Sequence, residues 1–177
     1  PSENAEFGAV ALLLQRWDDI APRLVESLFA DDVVRRAFLA LAEAASTLAR
    51  LVSSGRLPKP RRTIRFLWLP EMTGSYAYLA NNEDKLAKTV AAINLDMVGR
   101  LRNNTVMVLG ADSGSGMADL VEHAALERGI DVTFGGRAPA GSDHVPFLGS
   151  SIPSVFMFTG THPQYHTPDD DWQLLNY

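Results

Sequence analysis

Side chains able to bind a metal ion or move a proton gather in the second half of the chain. The sequence has four histidines, His123, His144, His162 and His166, and no cysteine. Without cysteine, thiol nucleophiles, iron–sulfur clusters, disulfide bonds and cysteine-type zinc fingers are excluded. A metal site must therefore combine carboxylates with one or two imidazoles. Such donors suit a catalytic zinc, manganese or cobalt ion that keeps one position open for water.

The densest group of these side chains lies in the segment Thr161–Asp171. It holds His162, Tyr165 and His166 together with three aspartates. Two prolines within it stiffen the backbone, as suits a loop that must hold a ligand in place. The alternative is a solvated polar loop with an acidic turn. Because paired histidines are infrequent in such loops, we favour a functional site.

Two acids follow apolar segments that read as strands. Thr63–Leu69 and Thr89–Leu95 are rich in β-branched, aromatic and aliphatic residues, and Glu71 and Asp96 come just after them. A bare buried carboxylate is costly, so each acid must be solvated, paired or bound to a metal. The alternatives are a turn-capping role for Asp96 and a helix N-terminal role for Glu71. Their shared position at strand ends favours function, because ligands collect there in parallel sheets.

Ser142, Asp143 and His144 are consecutive in the sequence. Neighbouring side chains cannot build a nucleophilic Ser–His–Asp relay among themselves. We expect Asp143 or His144 to support a site by orienting its ligands through hydrogen bonds. The alternative is a turn closed by bonds between side chains and backbone.

The elements that must position these residues alternate between helix and strand. Apolar spacing predicts an amphipathic helix over Phe38–Val52, which Gly55 ends. The remaining predicted elements are the strands Thr105–Leu109, Asp131–Phe134 and Ser154–Phe158 and the helix Met117–Arg128, whose apolar face carries Met117, Leu120, Val121 and Ala124. This alternation predicts a layered α/β domain with a mostly parallel sheet. We divide the chain into a helical segment, residues 1–60, and an α/β core, residues 61–177.

Composition limits the partners. The chain carries 16 basic and 21 acidic residues and a net charge of −5, which argues against nucleic-acid binding through a basic face. No apolar run approaches the roughly 18 residues that predict a membrane span. The compartment stays open between secreted or periplasmic and cytoplasmic, and the sequence does not give the oligomeric state.

Several motifs in fixed order resemble the co-catalytic zinc aminopeptidases. The relatives are aminopeptidase Y, the bacterial secreted aminopeptidases and the glutamate carboxypeptidase group, and the sequence is most similar to a bacterial branch of aminopeptidase-like proteins. The likeness covers Arg61 to Trp172 and rests on Arg61–Glu71, Ile93–Gly99, Ser142–Phe147, Ile152–Phe156 and Tyr165–Asp170. It implies a three-layer α/β/α sandwich of the zinc-exopeptidase type with a mixed, mostly parallel sheet.

The resemblance also implies roles for single residues. Asp96 matches the acidic ligand of one zinc ion, and His166 matches the histidine ligand of the other. Most relatives have two consecutive glutamates, a general base and then a zinc ligand, where this chain has only Glu71, so Glu71 takes one of these roles and we favour the ligand. Tyr165 would lie near the oxyanion of the tetrahedral intermediate. Three residues would line the substrate pocket: Ser142, Asp143 and His144.

The implied activity is removal of the N-terminal residue from peptides or small amides by water activated on two zinc ions, with manganese or cobalt as alternatives. Relatives also need an upstream histidine and a bridging aspartate, yet no histidine precedes His123. We expect those ligands in segments outside this chain, since relatives also continue past Tyr177 into a final helix. The alternatives are a non-catalytic binding protein with a degraded metal site and another metal-dependent amidohydrolase.

Overall fold

The computed structural model describes residues 32–136 and 141–176. The chain divides into two compact units between Trp68 and Leu69. We refer to them as the N-terminal unit and the C-terminal unit. The sequence also predicts two shorter helices, Ala9–Trp17 and Leu24–Phe29, which lie outside the described residues.

The N-terminal unit contains one long helix, α1, Asp32–Ser53. It includes the predicted helix Phe38–Val52, which is confirmed. Gly55 has a φ of 72° and donates its N–H to the Val52 carbonyl, so the predicted glycine stop is also confirmed. Neither α1 nor any other helix in the two described ranges is long and apolar enough to cross a membrane.

The prediction of a buried strand over Thr63–Leu69 is wrong. The described structure has no strand at these residues, and Ile64 and Phe66 are 51% and 41% exposed. β-Branched and aromatic residues favour a strand only where a neighbouring strand takes the backbone hydrogen bonds and a packed face covers the side chains. The composition of Thr63–Leu69 indicates side chains suited to a packed face, but it does not show whether a neighbouring strand is present.

The C-terminal unit alternates helices and strands. In chain order it contains the helices α2, Thr73–Ala80, and α3, Glu83–Leu86, the strands β1, Ala92–Leu95, and β2, Thr105–Leu109, the helix α4, Met117–Arg128, the strand β3, Asp131–Phe134, the helix α5, His144–Gly149, and the strand β4, Ser154–Phe158. Short 3₁₀ helices occupy Val98–Arg100, Arg102–Asn104, Ala111–Ser113 and Trp172–Leu174.

The four strands form one mixed sheet with the order β1-β4-β2-β3. The β1–β4 and β2–β3 pairs are parallel, and β2–β4 is antiparallel. The predictions for β2, β3 and β4 are confirmed with their bounds. β1 is shorter than the predicted Thr89–Leu95, because Thr89 closes the turn after α3 through bonds to the carbonyls of Leu86 and Lys85.

Helices cover both faces of the sheet. On one face α4 packs Met117 and Val121 against a core of Val108, Ala111 and Val155. On the other face Leu79 of α2 and Phe147 of α5 form a buried cluster with Ile152, which lies between α5 and β4. The described residues therefore form the three layers that the family resemblance implied.

Two local predictions need correction. Leu120, assigned to the apolar face of α4, is 71% exposed, because the contacts with the sheet core come from Met117, Ala118 and Val121 instead. The sequence also predicts a loop over Arg137–Phe147 before the last strand, but α5 begins within that segment, at His144.

Candidate active site at the strand ends

Glu71 and Asp96 both lie in the C-terminal unit, next to the elements that position them. Asp96 follows β1 directly, and its N–H donates to the carbonyl of Met157 on the neighbouring strand β4 at 3.2 Å. Glu71 lies in the turn that leads into α2, where Gly74 donates its N–H to the Pro70 carbonyl. Asp96 is half-buried and Glu71 is exposed.

The charges around Glu71 show which side chains share its surroundings. Although Glu71 stays exposed, partial desolvation raises the pKa of its carboxyl above the ordinary value, and the negative charges of Asp96 and Asp143 raise it further. His166 acts in the opposite direction and lowers that pKa. Three other predicted site residues, Asp96, Asp143 and His166, therefore lie within electrostatic reach of Glu71.

Ser142 fixes the orientation of Asp96. Its hydroxyl donates to Asp96 Oδ2 at 2.8 Å, and the Asn94 side-chain amide donates to Ser142 Oγ at 2.8 Å. Ser142 is only 2% exposed, so water competes little for these bonds. The Ser142 hydrogen bond, supported by Asn94, engages Oδ2 of Asp96, so its Oδ1 can face a further partner.

Asp143 holds the turn that presents Glu71. Its Oδ1 accepts the Met72 N–H at 2.7 Å and the Ser75 hydroxyl at 2.5 Å. Met72 has a φ of 58° and a ψ of −55°, a sparsely populated backbone conformation that costs a non-glycine residue about 1–3 kcal/mol. Asp143 occupies the N-cap position of α5 but makes no side-chain capping bond there. Its carboxylate thus serves the Glu71 turn rather than its own helix.

His144 is fully buried at the start of α5. Its ring stacks on Phe156 of β4 with 4.6 Å between ring centres. Ser142 is buried as well and Asp143 is half-buried, so all three consecutive residues are at least partly removed from solvent. Their assignment to a substrate pocket stays a prediction.

Tyr165 and His166 form a stacked pair on the loop after β4. Their ring centres are 3.9 Å apart, and His166 has a φ of 57°. Tyr165 is 41% exposed, and the ring of His162 meets it edge-on at 6.3 Å. The loop thus presents a phenol and an imidazole side by side.

The structure adds residues that sequence reasoning missed. Asn94 and Ser75 complete the hydrogen bonds of Ser142 and Asp143, and Arg100 contacts the histidine loop. Asn94 could have been predicted from the sequence. Residues two apart along a strand share a face, and Asn94 lies two residues before Asp96. For Arg100 no local pattern gives such a signal, because its partners lie more than 60 residues away.

The donor types at this site fit a zinc ion. Two carboxylates, Glu71 and Asp96, and the imidazole of His166 are ligands that zinc accepts. They do not make a complete set: among residues 32–136 and 141–176 no three His, Asp or Glu side chains converge closely enough to hold a metal ion. The assignment of these three residues as ligands stays a prediction.

The fold and this site define an α/β domain with oxygen and nitrogen donors after β1, after β4 and in the turn before α2. The model of peptidase family M28 matches residues 37–177. The chain therefore belongs to peptidase family M28, which confirms the resemblance to the co-catalytic zinc aminopeptidases.

Solved structures support the same placement. The zinc aminopeptidase BSAP of Bacillus subtilis is 28% identical with a TM-score of 0.50, over 60% of this chain and 28% of that one. The aminopeptidase of Aneurinibacillus sp. strain AM-1 is 27% identical with a TM-score of 0.50, over 59% and 26%. LapB of Legionella pneumophila, 20% identical with a TM-score of 0.53 over 76% and 40%, supports the fold alone.

The chain spans between about a quarter and two fifths of the length of these solved relatives. No curated protein matches it in sequence.

Proposed function

We propose that the protein containing this chain is a zinc-dependent aminopeptidase that removes N-terminal residues from peptides. The observation that carries the proposal is the electrostatic grouping of Asp96, Asp143 and His166 around Glu71 in an M28 domain. Isolated surface acids would not act together on one carboxyl group. Peptides and small amides are the substrate class that this family assignment supports.

Asp96 and His166 are the proposed zinc ligands. Bound zinc would polarise the scissile carbonyl and lower the pKa of a bound water. Ser142 holds one oxygen of Asp96 through its 2.8 Å bond, which fixes the direction of the other. The stacking of Tyr165 on His166 restricts the imidazole in the same way.

Glu71 is proposed as a further ligand. It stands alone where most relatives have a base and a ligand in succession, so the general-base role is the alternative. Replacement by glutamine separates the two roles, because a ligand variant loses metal whereas a base variant keeps metal and loses turnover. Metal content and kcat of Glu71→Gln measure the difference.

Tyr165 is proposed to stabilise the oxyanion of the tetrahedral intermediate. Its ring is partly exposed and stacks on a proposed zinc ligand, so its hydroxyl belongs to the surface that a substrate would reach. A positioned hydroxyl donor of this kind contributes most when charge develops on the substrate oxygen.

The test is hydrolysis of an aminoacyl anilide by the full-length protein, with and without a chelator. We expect activity that the chelator abolishes and added zinc restores. A full-length protein that binds no zinc and hydrolyses neither anilides nor peptides would instead be a binding protein on this fold. Hydrolysis of other amides but not of N-terminal peptide bonds would indicate a different metal-dependent amidohydrolase.

A further inference from the structure

Arg100 links the segment after Asp96 to the loop that carries His166. It ends the 3₁₀ helix Val98–Arg100, four residues beyond Asp96. Its side chain is 11% exposed, although arginine is usually among the most solvent-exposed residues. A guanidinium brought out of water in this way needs partners, and the structure supplies them from one loop.

The guanidinium of Arg100 contacts the loop on both sides of His166. Its NH2 group pairs with Asp170 Oδ1 at 2.5 Å, and its NH1 group donates to Gln164 Oε1 at 3.2 Å. The planar fork of arginine holds two partners in a fixed relative geometry, which a single point charge does not. In the sequence His166 lies between these two contacts, two residues after Gln164 and four residues before Asp170.

Asp170 extends the contact to a second histidine. Its Oδ2 lies 3.5 Å from His162 Nε2, and the His162 side chain is only 5% exposed. His162 in turn meets the edge of Tyr165, whose face stacks on His166. Contacts thus run without a break from Arg100 through Asp170, His162 and Tyr165 to His166.

Arg102 holds the beginning of the same loop. Its NH2 group donates to the carbonyls of Thr159 and Thr161 at 3.0 and 2.8 Å, while the Thr159 hydroxyl donates to the Met97 carbonyl. Arg102 therefore holds the start of the loop through backbone carbonyls. Arg100 holds the middle and the end of the loop through the side chains of Gln164 and Asp170.

We propose that Arg100 is a positioning residue that fixes His166 relative to Asp96 by holding the loop at Gln164 and Asp170. This inference rests on the proposed function, since it concerns the geometry of two proposed zinc ligands. Stability alone is a poor reason for the arrangement, because Asp170 is 36% exposed and an ion pair with a solvated partner adds little net free energy of folding. What the pair provides is a defined distance between two segments that are far apart in the sequence.

The test compares full-length Arg100→Ala with wild type in two independent measurements. In metal-free protein, hydrogen exchange reads the amides of Tyr165, Thr167 and Asp170, which all donate to carbonyls within the loop. We expect faster exchange at these amides and unchanged exchange in β2. In zinc titration against a competing chelator we expect affinity to fall about 10- to 100-fold, together with a lower kcat and an unchanged KM.

Three further variants sharpen the comparison. Arg100→Lys keeps the charge but loses the fork, so it should restore the affinity only in part. Asp170→Asn removes the ion pair without touching Arg100, and it carries the test if Arg100→Ala does not fold. The control is Arg128→Ala, an exposed arginine at the end of α4, which should match wild type in every readout.

Zinc affinity that is equal in wild type and Arg100→Ala would overturn the proposal, as would equally faster exchange in β2 and the loop. Failure of the proposed function gives a different result: wild type itself would then bind no zinc and hydrolyse no peptide. The exchange measurement still decides in that case whether Arg100 holds the loop.

Discussion

Adjacent side chains can hold two different parts of one site. Ser142 bonds to Asp96, and Asp143 bonds to the turn that follows Glu71. Successive residues point in different directions, so one short segment reaches both acids at once. A change at either residue should therefore affect one acid more than the other.

Replacing Ser142 by alanine should weaken metal binding. The change removes the hydroxyl between Asn94 and Asp96, and loss of such an orienting bond typically lowers metal affinity about 10- to 100-fold. Chelator competition on the full-length protein measures the affinity. Ser150→Ala is the control, because the Ser150 hydroxyl donates to the Pro146 carbonyl in α5 and not to a site residue. Equal affinities for the two variants would contradict the role given to Ser142.

Replacing Asp143 by alanine should lower the stability of the domain. The change leaves the hydroxyl of fully buried Ser75 and the Met72 N–H without their acceptor, which costs about 1–3 kcal/mol. Asp143→Asn keeps a carbonyl oxygen at the Oδ1 position and should lose less. Urea unfolding measures both variants. The account fails at this point if the asparagine variant is the less stable of the two.

At the scale of elements, the close approach of β4 to the turn after β2 depends on a glycine. Gly110 has a φ of +75°, and a Cβ there would lie 2.5 Å from the Ser154 carbonyl oxygen. Ser113 bridges the same place, because its hydroxyl donates to the Gly110 carbonyl and accepts the Ser154 N–H. The turn and the strand are thus packed backbone against backbone.

Gly110→Ala should destabilise the fold by at least about 1–3 kcal/mol, from the left-handed conformation alone, with the contact to Ser154 adding to it. Gly149→Ala is the matched control, since no atom lies within 4 Å of its Cβ position and alanine favours the helix α5. Thermal unfolding of both variants gives the comparison. Equal melting temperatures would show that the backbone approach is looser than described.

A helix or strand can be predicted from the sequence when the residues that determine it lie within the element itself. The sequence predicts the bounds of α4, β2, β3 and β4 correctly. Their signals are apolar periodicity and, for α4, a terminal glycine, and both are contained in the segment itself. The strand predicted over Thr63–Leu69 failed, since pairing depends on a partner elsewhere in the chain.

The site residues divide in the same way into those that a local sequence pattern reveals and those that only the fold brings together. Asp96 and His166 could be singled out because the end of β1 and a histidine-rich loop are visible in the sequence. Glu71 was singled out as the residue after the strand predicted over Thr63–Leu69, which the structure does not contain; its place near Asp96 comes instead from the turn into α2. The bonds that hold the site residues could not be predicted, since Asn94 and Ser142 are 48 residues apart and Arg100 and Asp170 are 70 apart. Only the folded topology brings such pairs together.

At the scale of the whole molecule, β1 lies at one edge of the four-stranded sheet. Ile93 and Leu95 are 67% and 57% exposed, which is unusual for aliphatic residues within a strand. An exposed apolar edge strand is a template for pairing with another chain. We therefore expect the 177-residue chain to self-associate when produced alone.

Ile93→Lys should reduce this self-association, because a charge on an edge strand opposes edge-to-edge pairing. Val90→Lys is the control: Val90 is 53% exposed but precedes β1, so the same charge there should have a smaller effect. Size-exclusion chromatography with light scattering measures the mass of each. If both variants associate as strongly as the unchanged chain, the edge of β1 is not the contact.

The central claim is that Asp96 and His166 hold zinc in an M28 aminopeptidase, and metal content tests it most directly. Zinc per chain is measured by elemental analysis on the full-length protein and on Asp96→Ala and His166→Ala, with circular dichroism to verify the fold. The account predicts bound zinc in the wild type and a loss of zinc in both folded variants. A wild type without zinc, or two variants that keep their full metal content, would contradict it.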